Sequence, residues 1–184
     1  RVYFLGLTHL EDAYRAEQGE AKIRIGTTRR LMQSVFNTIV DNESFVQGMT
    51  NINNFHEYTL GRSMDVCRLS IALGRRLGLD RNELIDLGIS AFFHDLGKLD
   101  TPKDILEKPS KLDDREREII EKHPHHGAEK LLQSRDYRGL PIGAIQVALE
   151  HHVKEDHTGY PRPYKKHAVS LYSRIVKIAD FFDA

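Results

Sequence analysis

The sequence predicts an all-α protein, on three observations. Stretches that alternate apolar and polar residues as strands do are scarce, whereas apolar residues recur every three or four positions along most of the chain. Helix-start signals stand ahead of these runs: Asp80 with Glu83, Asp113 with Glu116, then Pro124 and Pro141. The long Gly- and Pro-containing stretch, 153–169, falls between two helical patterns and reads as a loop.

Residues 28–40 (T-R-R-L-M-Q-S-V-F-N-T-I-V) carry apolar positions at 31, 32, 35, 36, 39 and 40, one wide helical face. A second helix fits 62–77, with Met64, Val66, Leu69, Ile71, Ala72 and Leu73 as its apolar stripe. The Asp80/Glu83 capping box opens a third helix running to about Leu96, and Asp113/Glu116 opens another before I-I-E-K-H. Pro124 begins a helix through L-L-Q, Pro141 one through I-G-A-I-Q-V-A-L-E-H-H, and a last helix covers about 170–182. Val35, Thr38, Asn42, Phe45, Met49 and Ile52 also share an a/d spacing, which reads either as a core-facing helix or as the seam of a homodimer.

Residues 1–27 are polar and weakly patterned and read as a linker or the tail of an upstream sensory or receiver segment. Arg1 at the start, and a helical pattern still running at Ala184, lead us to expect a piece of a longer chain, with residues 28–184 as one domain truncated at its C-terminal end. With 184 residues, 40% hydrophobic and 29% charged, the composition is that of a globular domain with a real core. Zero formal net charge argues against a nucleic-acid polymer as partner. No apolar run is long enough to span a bilayer, and none reads as a signal peptide. The single cysteine, Cys67, fits a reducing, cytoplasmic setting.

Histidine is the anomaly: eight of the ten fall between His94 and His167. His94 and Asp95 sit at the end of an apolar helix, where an unpaired carboxylate would cost several kcal/mol. His123 precedes a proline-started helix, His151 and His152 close another, and Asp180 lies inside the last. Imidazole and carboxylate are the donors that Mn, Fe, Co, Ni and Zn accept, and helical bundles commonly build such sites in their core. A salt bridge or cap would account for His94–Asp95 in the absence of metal. Adjacent residues lie about 100° apart on a helix, so His151 and His152 are expected to find different partners.

H-D-L-G-K at 94–98, H-P-H-H-G at 123–127, H-H at 151–152, D-H-T-G-Y-P at 156–161 and R-I-V-K-I-A-D-F-F-D-A at 174–184 together resemble the HD-GYP family, a subgroup of the HD-domain metal-dependent phosphohydrolases. The resemblance covers roughly residues 30–184. It implies a helical bundle of HD-domain type around two divalent transition-metal ions, Fe or Mn foremost with Ni, Co and Zn acceptable. It also implies cyclic di-GMP as substrate, hydrolysed to linear pGpG or GMP by a hydroxide held on the metals. His94, Asp95, His123, His151, His152 and Asp180 become the metal ligands, with Asp95 bridging. Lys98 joins Asp95 as a catalytic residue and reaches a substrate phosphate, while Gly159, Tyr160 and Pro161 shape the substrate side. His125, His126, His157 and His167 fall where the family has no ligand and are expected at exposed positions, with His9 solvated.

The departure lies at 58–68, Y-T-L-G-R-S-M-D-V-C-R. Members of the family carry a ligand histidine where this chain has Arg62, and those with three metals a glutamate where it has Tyr58. A guanidinium stays protonated and has no lone pair for a metal, and His56 and Glu57 project from other directions of the same helix. Arg62 is expected either to bind a substrate phosphate or to pair with Asp95 or Asp180 in place of a metal's charge. The second role admits a catalytically weak or inactive domain that signals through nucleotide or protein binding. A related hydrolase acting on another phosphorylated substrate is the third reading.

Overall fold

The computed structural model describes residues 25–41, 55–134, 139–162 and 167–183. These fold into α1 (Ile25–Asp41), α2 (Phe55–Arg76), α3 (Arg81–Phe92), a 3-10 turn (Leu96–Asp100), α4 (Lys103–Leu106), α5 (Asp114–Ile120), α6 (His123–Gln133), α7 (Ile142–Glu150) and α8 (Leu171–Asp183), with no strand among the described residues. The chain is all-α, as its periodicity predicts.

α3 is the axis of the fold. Leu84, Ile85 and every residue from Leu87 to Phe92 are buried, so this helix is apolar nearly all round and requires cover on every side. α1, α2, α7 and α8 supply it. Met32 and Ile39 from α1, Val66 and Ile71 from α2, Val147 from α7 and Ile175 and Val176 from α8 close one continuous core with it. Both predicted capping boxes are formed: Asp80 accepts from the Asn82 and Glu83 amides while Glu83 accepts from the Asp80 amide, and Asp113 and Glu116 do the same for α5.

α1 begins three residues before the predicted start because Ile25 extends the apolar face and is buried in the core. Val35 is also core, which favours the core-facing reading of the a/d spacing; Asn42, Phe45, Met49 and Ile52 lie outside the described residues. α2 begins at Phe55, seven residues before the predicted start, and the side chains of His56, Glu57 and Tyr58 lie outside the described residues, as does His9. The short α4 has no counterpart among the predicted elements, since Ile105 is its only buried residue.

The largest departure sets up the site. α3 ends at Phe92, and the chain turns through residues 93–95 into the 3-10 turn instead of continuing to Leu96. The turn packs on α6, and Gly97 lies so close to it that a Cβ there would run into the His123 carbonyl oxygen and the Gly127 amide. Backbone on both sides leaves no room to adjust, so Gly97→Ala is expected to lower stability by about 3 kcal/mol or more in urea unfolding. It would do so by prising apart the two segments that carry Asp95 and His123.

Candidate metal centre

The six predicted ligands arrive from four directions and meet. His94 and Asp95 leave the end of α3, His123 opens α6, His151 and His152 follow α7, and Asp180 comes from α8. One ligand atom from each of Asp95, His123, His151 and His152 lies within 4.8 Å of the others, and the same holds for His94, Asp95 and Asp180. Asp95 belongs to both sets.

Helix ends build this arrangement. His94 Nδ1 is 2.7 Å from the Ala91 carbonyl oxygen in the last turn of α3, and His123 Nδ1 is 2.7 Å from that of Ile120, the last residue of α5. His151 Nδ1 is 2.9 Å from the carbonyl oxygen of Val147 near the end of α7. These carbonyls belong to helix C-terminal turns, where intrahelical donors run out. Each Nδ1–H therefore donates to a carbonyl, which fixes the ring orientation and turns Nε2 inward. Three helix ends, each the negative pole of its dipole, converge on the same point.

The result is a cluster of acceptors short of donors. His123 Nε2 and His151 Nε2 face one another at 3.2 Å, and lie 3.3 and 3.6 Å from Asp95 Oδ1. Asp95 Oδ1 and His94 Nε2 are buried without a hydrogen-bond partner. Asp95 is only 2% exposed; its other oxygen, Oδ2, accepts from Lys98 Nζ at 2.6 Å. Burial would raise the Asp95 pKa, but the Lys98 and His94 charges hold it well below the ordinary carboxylate range. Burial lowers His151 to about 4 and His152 to about 2, leaving both imidazoles neutral with lone pairs available. Burial would lower His94 as well, yet Asp95 and Asp180, at 3.3 and 3.6 Å from its Nε2, push it up to about 10. The buried Asp95 Oδ1 and the Nε2 atoms of His123 and His151 that face it call for a cation, and the raised His94 shows that positive charge is favoured beside Asp95 and Asp180 as well. The donor set, neutral imidazoles with a shared carboxylate, fits a divalent transition metal.

His151 and His152 do not need separate partners. Both stand just past the last residue of α7, with ring centres 4.2 Å apart, and both reach the Asp95 and His123 set. His152 also stacks on Tyr160, with ring centres 4.5 Å apart. Gly159 lets that loop fold back, because a Cβ there would strike the His152 carbonyl oxygen. Pro161 is half-buried beside Tyr160. Arg62 pairs with Asp180, one of the two partners expected for it: Nε and Nη2 both donate to Asp180 Oδ1, at 3.1 and 2.8 Å.

The remaining histidines depart from simple exposure in three cases. His125 is exposed, whereas His126 is half-buried with Nδ1 3.6 Å from Asp100, and His157 is half-buried at φ +61°. His167 is exposed but bonded: its Nε2 lies 2.9 Å from Glu150 Oε1. That contact exposes a residue missing from the predicted site. Glu150, 9% exposed, accepts also from the Ser170 amide and the Ser173 hydroxyl, clamping the return of the loop onto the end of α7 beside His151. The only trace of it in the sequence is an acid closing the otherwise apolar run I-G-A-I-Q-V-A-L-E. Glu150→Ala removes the acceptor of the half-buried Ser170 amide and the buried Ser173 hydroxyl, and is expected to cost about 2–4 kcal/mol in urea unfolding, with Glu150→Gln intermediate.

Residues 34–184 match the family model described as HD domain. The chain is 33% identical over 154 residues to the "Cyclic di-GMP phosphodiesterase PA4108" of Pseudomonas aeruginosa, covering 84% of this chain and 36% of that protein. It is 38% identical over 127 residues to the "Cyclic di-GMP phosphodiesterase response regulator RpfG" of Xanthomonas campestris pv. campestris, covering 67% of this chain and 33% of that one. The chain thus spans about a third of the length of these curated relatives. The solved structure of Bd1817, described as a HDG"Y"P protein from Bdellovibrio bacteriovorus, superposes with a TM-score of 0.80 over 99% of this chain and 58% of that one, at 20% identity, a likeness of fold.

Proposed function

The chain belongs to the HD-domain family, and on that premise we propose that it is a metal-dependent phosphodiesterase acting on cyclic di-GMP. The observation that carries the reading is the pair of ligand sets sharing the buried Asp95. The names of the two relatives support the substrate.

His123, His151, His152 and Asp95 would hold one divalent ion, and His94, Asp95 and Asp180 the other. Fe or Mn is the first choice, and Ni, Co and Zn are compatible with the same donors. Such ions supply Lewis acidity toward a phosphate oxygen and lower the pKa of water. The protein's own share is positional. The Nδ1–H bonds to helix-end carbonyls keep the imidazoles from rotating. Lys98, held at Asp95, places an ammonium where a phosphate oxygen of the substrate would develop charge. Tyr160 walls the side next to His152 and presents a ring for a base to stack on, with Gly159 and Pro161 setting its loop. The products are linear pGpG or GMP.

One observation favours a second reading. Arg62 already neutralises Asp180, so a catalytically weak module that signals by binding nucleotide is the competing assignment. The proposal extends to a cytoplasmic setting and to an upstream sensory or receiver domain. The buried free Cys67 supports the first, and the greater length of the relatives, one of them named a response regulator, supports the second. A homodimer is proposed as the quaternary state, to be read by sedimentation. No helix of the described residues is long and apolar enough to cross a membrane.

The test is hydrolysis of cyclic di-GMP by protein purified without oxygen and supplied with Fe(II) or Mn(II), beside Asp95→Ala and a panel of other phosphorylated substrates. Turnover on cyclic di-GMP is expected to fall by about 1,000-fold or more in the variant, together with its metal content. Metal-replete wild type without turnover on cyclic di-GMP would assign the chain to the signalling reading. Preference for another member of the panel would overturn the substrate.

A further inference from the structure

The two ligand sets differ in what already occupies their carboxylates. Asp180 Oδ1, the atom that faces His94 Nε2 at 3.6 Å, already accepts two N–H bonds from Arg62. The same guanidinium bonds the backbone of α8 near its end, Nη2 to the Asp180 carbonyl oxygen at 2.8 Å and Nη1 to that of Asp183 at 3.4 Å. Carbonyls at a helix C-terminus favour a cation, so the side chain is held by the helix end as well as by the carboxylate. Its side chain is 15% exposed, and it cannot shed its proton to make way.

Charge leads to the same point. Asp95 and Asp180 bring two negative charges to the centre, and Lys98 on Asp95 and Arg62 on Asp180 answer both. A divalent ion between Asp95 and Asp180 would sit beside a permanent guanidinium and compete with it for Asp180. In the other set one ligand atom from each of three imidazoles and Asp95 lies within 4.8 Å of the rest, and Lys98 bonds Asp95 through Oδ2, away from the Oδ1 that faces His123 and His151.

We propose that Arg62 serves as a built-in cation in the second ligand set, so that the chain binds one divalent ion tightly, in the Asp95–His123–His151–His152 set, and a second at least about 100-fold more weakly. The inference rests on the reading of this cluster as a metal centre, and it names Arg62 as the residue that sets how many ions the centre holds.

The experiment is a Mn(II) titration of chelator-treated protein, followed by electron paramagnetic resonance with total metal by mass spectrometry, on wild type, Arg62→Met and Arg62→His. Met keeps much of the side-chain volume and removes the charge; His restores a possible ligand. Wild type is expected to hold one tight ion. Each variant is expected to bind a second with an affinity raised about 10- to 100-fold, and Asp180→Asn placed on Arg62→His is expected to abolish that gain. Circular dichroism melts establish that the variants are folded, and Arg62→His carries the test if Arg62→Met does not fold. Two equally tight ions in the wild type, or folded variants that still bind one, would overturn the proposal. No tight ion in the wild type, or in any variant, would overturn the metal-centre reading with it.

Discussion

A carboxylate buried at the heart of an apolar fold is the constraint that orders this structure. Asp95 follows the most enclosed helix of the molecule by only three residues and is nearly inaccessible to water. An ionised group in that position is tolerable only if charge of the opposite sign surrounds it. Lys98 meets one oxygen. The other is left to whatever the imidazoles can hold, and the junction of α5 with α6 and the end of α7 bring His123 and His151 to it.

The economy of the arrangement lies in using one side chain for two tasks. A helix C-terminus leaves carbonyls unpaired, and a metal-ligating histidine needs an acceptor for its second nitrogen. His94, His123 and His151 satisfy both requirements at once, each bonding through Nδ1 to a carbonyl at a helix end while presenting Nε2 to the centre. Helix termination and ligand orientation are thus the same interaction. Glu150 applies a similar logic one residue earlier, tying the loop that carries Tyr160 back to α7 and α8.

Much of this was legible in the chain, and the illegible parts share a cause. The capping boxes at Asp80 and Asp113 depend on neighbours three residues apart, so local spacing suffices to read them. The end of α3 at Phe92 depends on the fit of Gly97 against α6, a contact between segments far apart in sequence, and periodicity alone carried the helix too far. The ligand histidines stand out by type and by motif. That His151 and His152 both reach one set could not be read from helical spacing, because it depends on how the two side chains turn toward Asp95 and His123 in the fold. Arg62 was visible as a departure from the family pattern, but its partner is 118 residues away, and only the fold chooses Asp180 over Asp95. His167 and Glu150 were missed for the same reason: each looks ordinary until the loop brings them within 2.9 Å.

The central claim is that Asp95 is buried in order to be shared by metal. It is tested most directly by thermal melting of wild type and Asp95→Asn, each with chelator and with saturating Mn(II). The amide keeps the size of the carboxylate and removes its charge. The account predicts that Mn(II) at about 100 times its dissociation constant raises the wild-type melting temperature by roughly 5–10 °C and leaves Asp95→Asn where it was. The metal-free variant should melt below the metal-free wild type, since the amide takes from Lys98 and His94 the charge they pair with. An equal rise in both proteins, or none in the wild type, would contradict it.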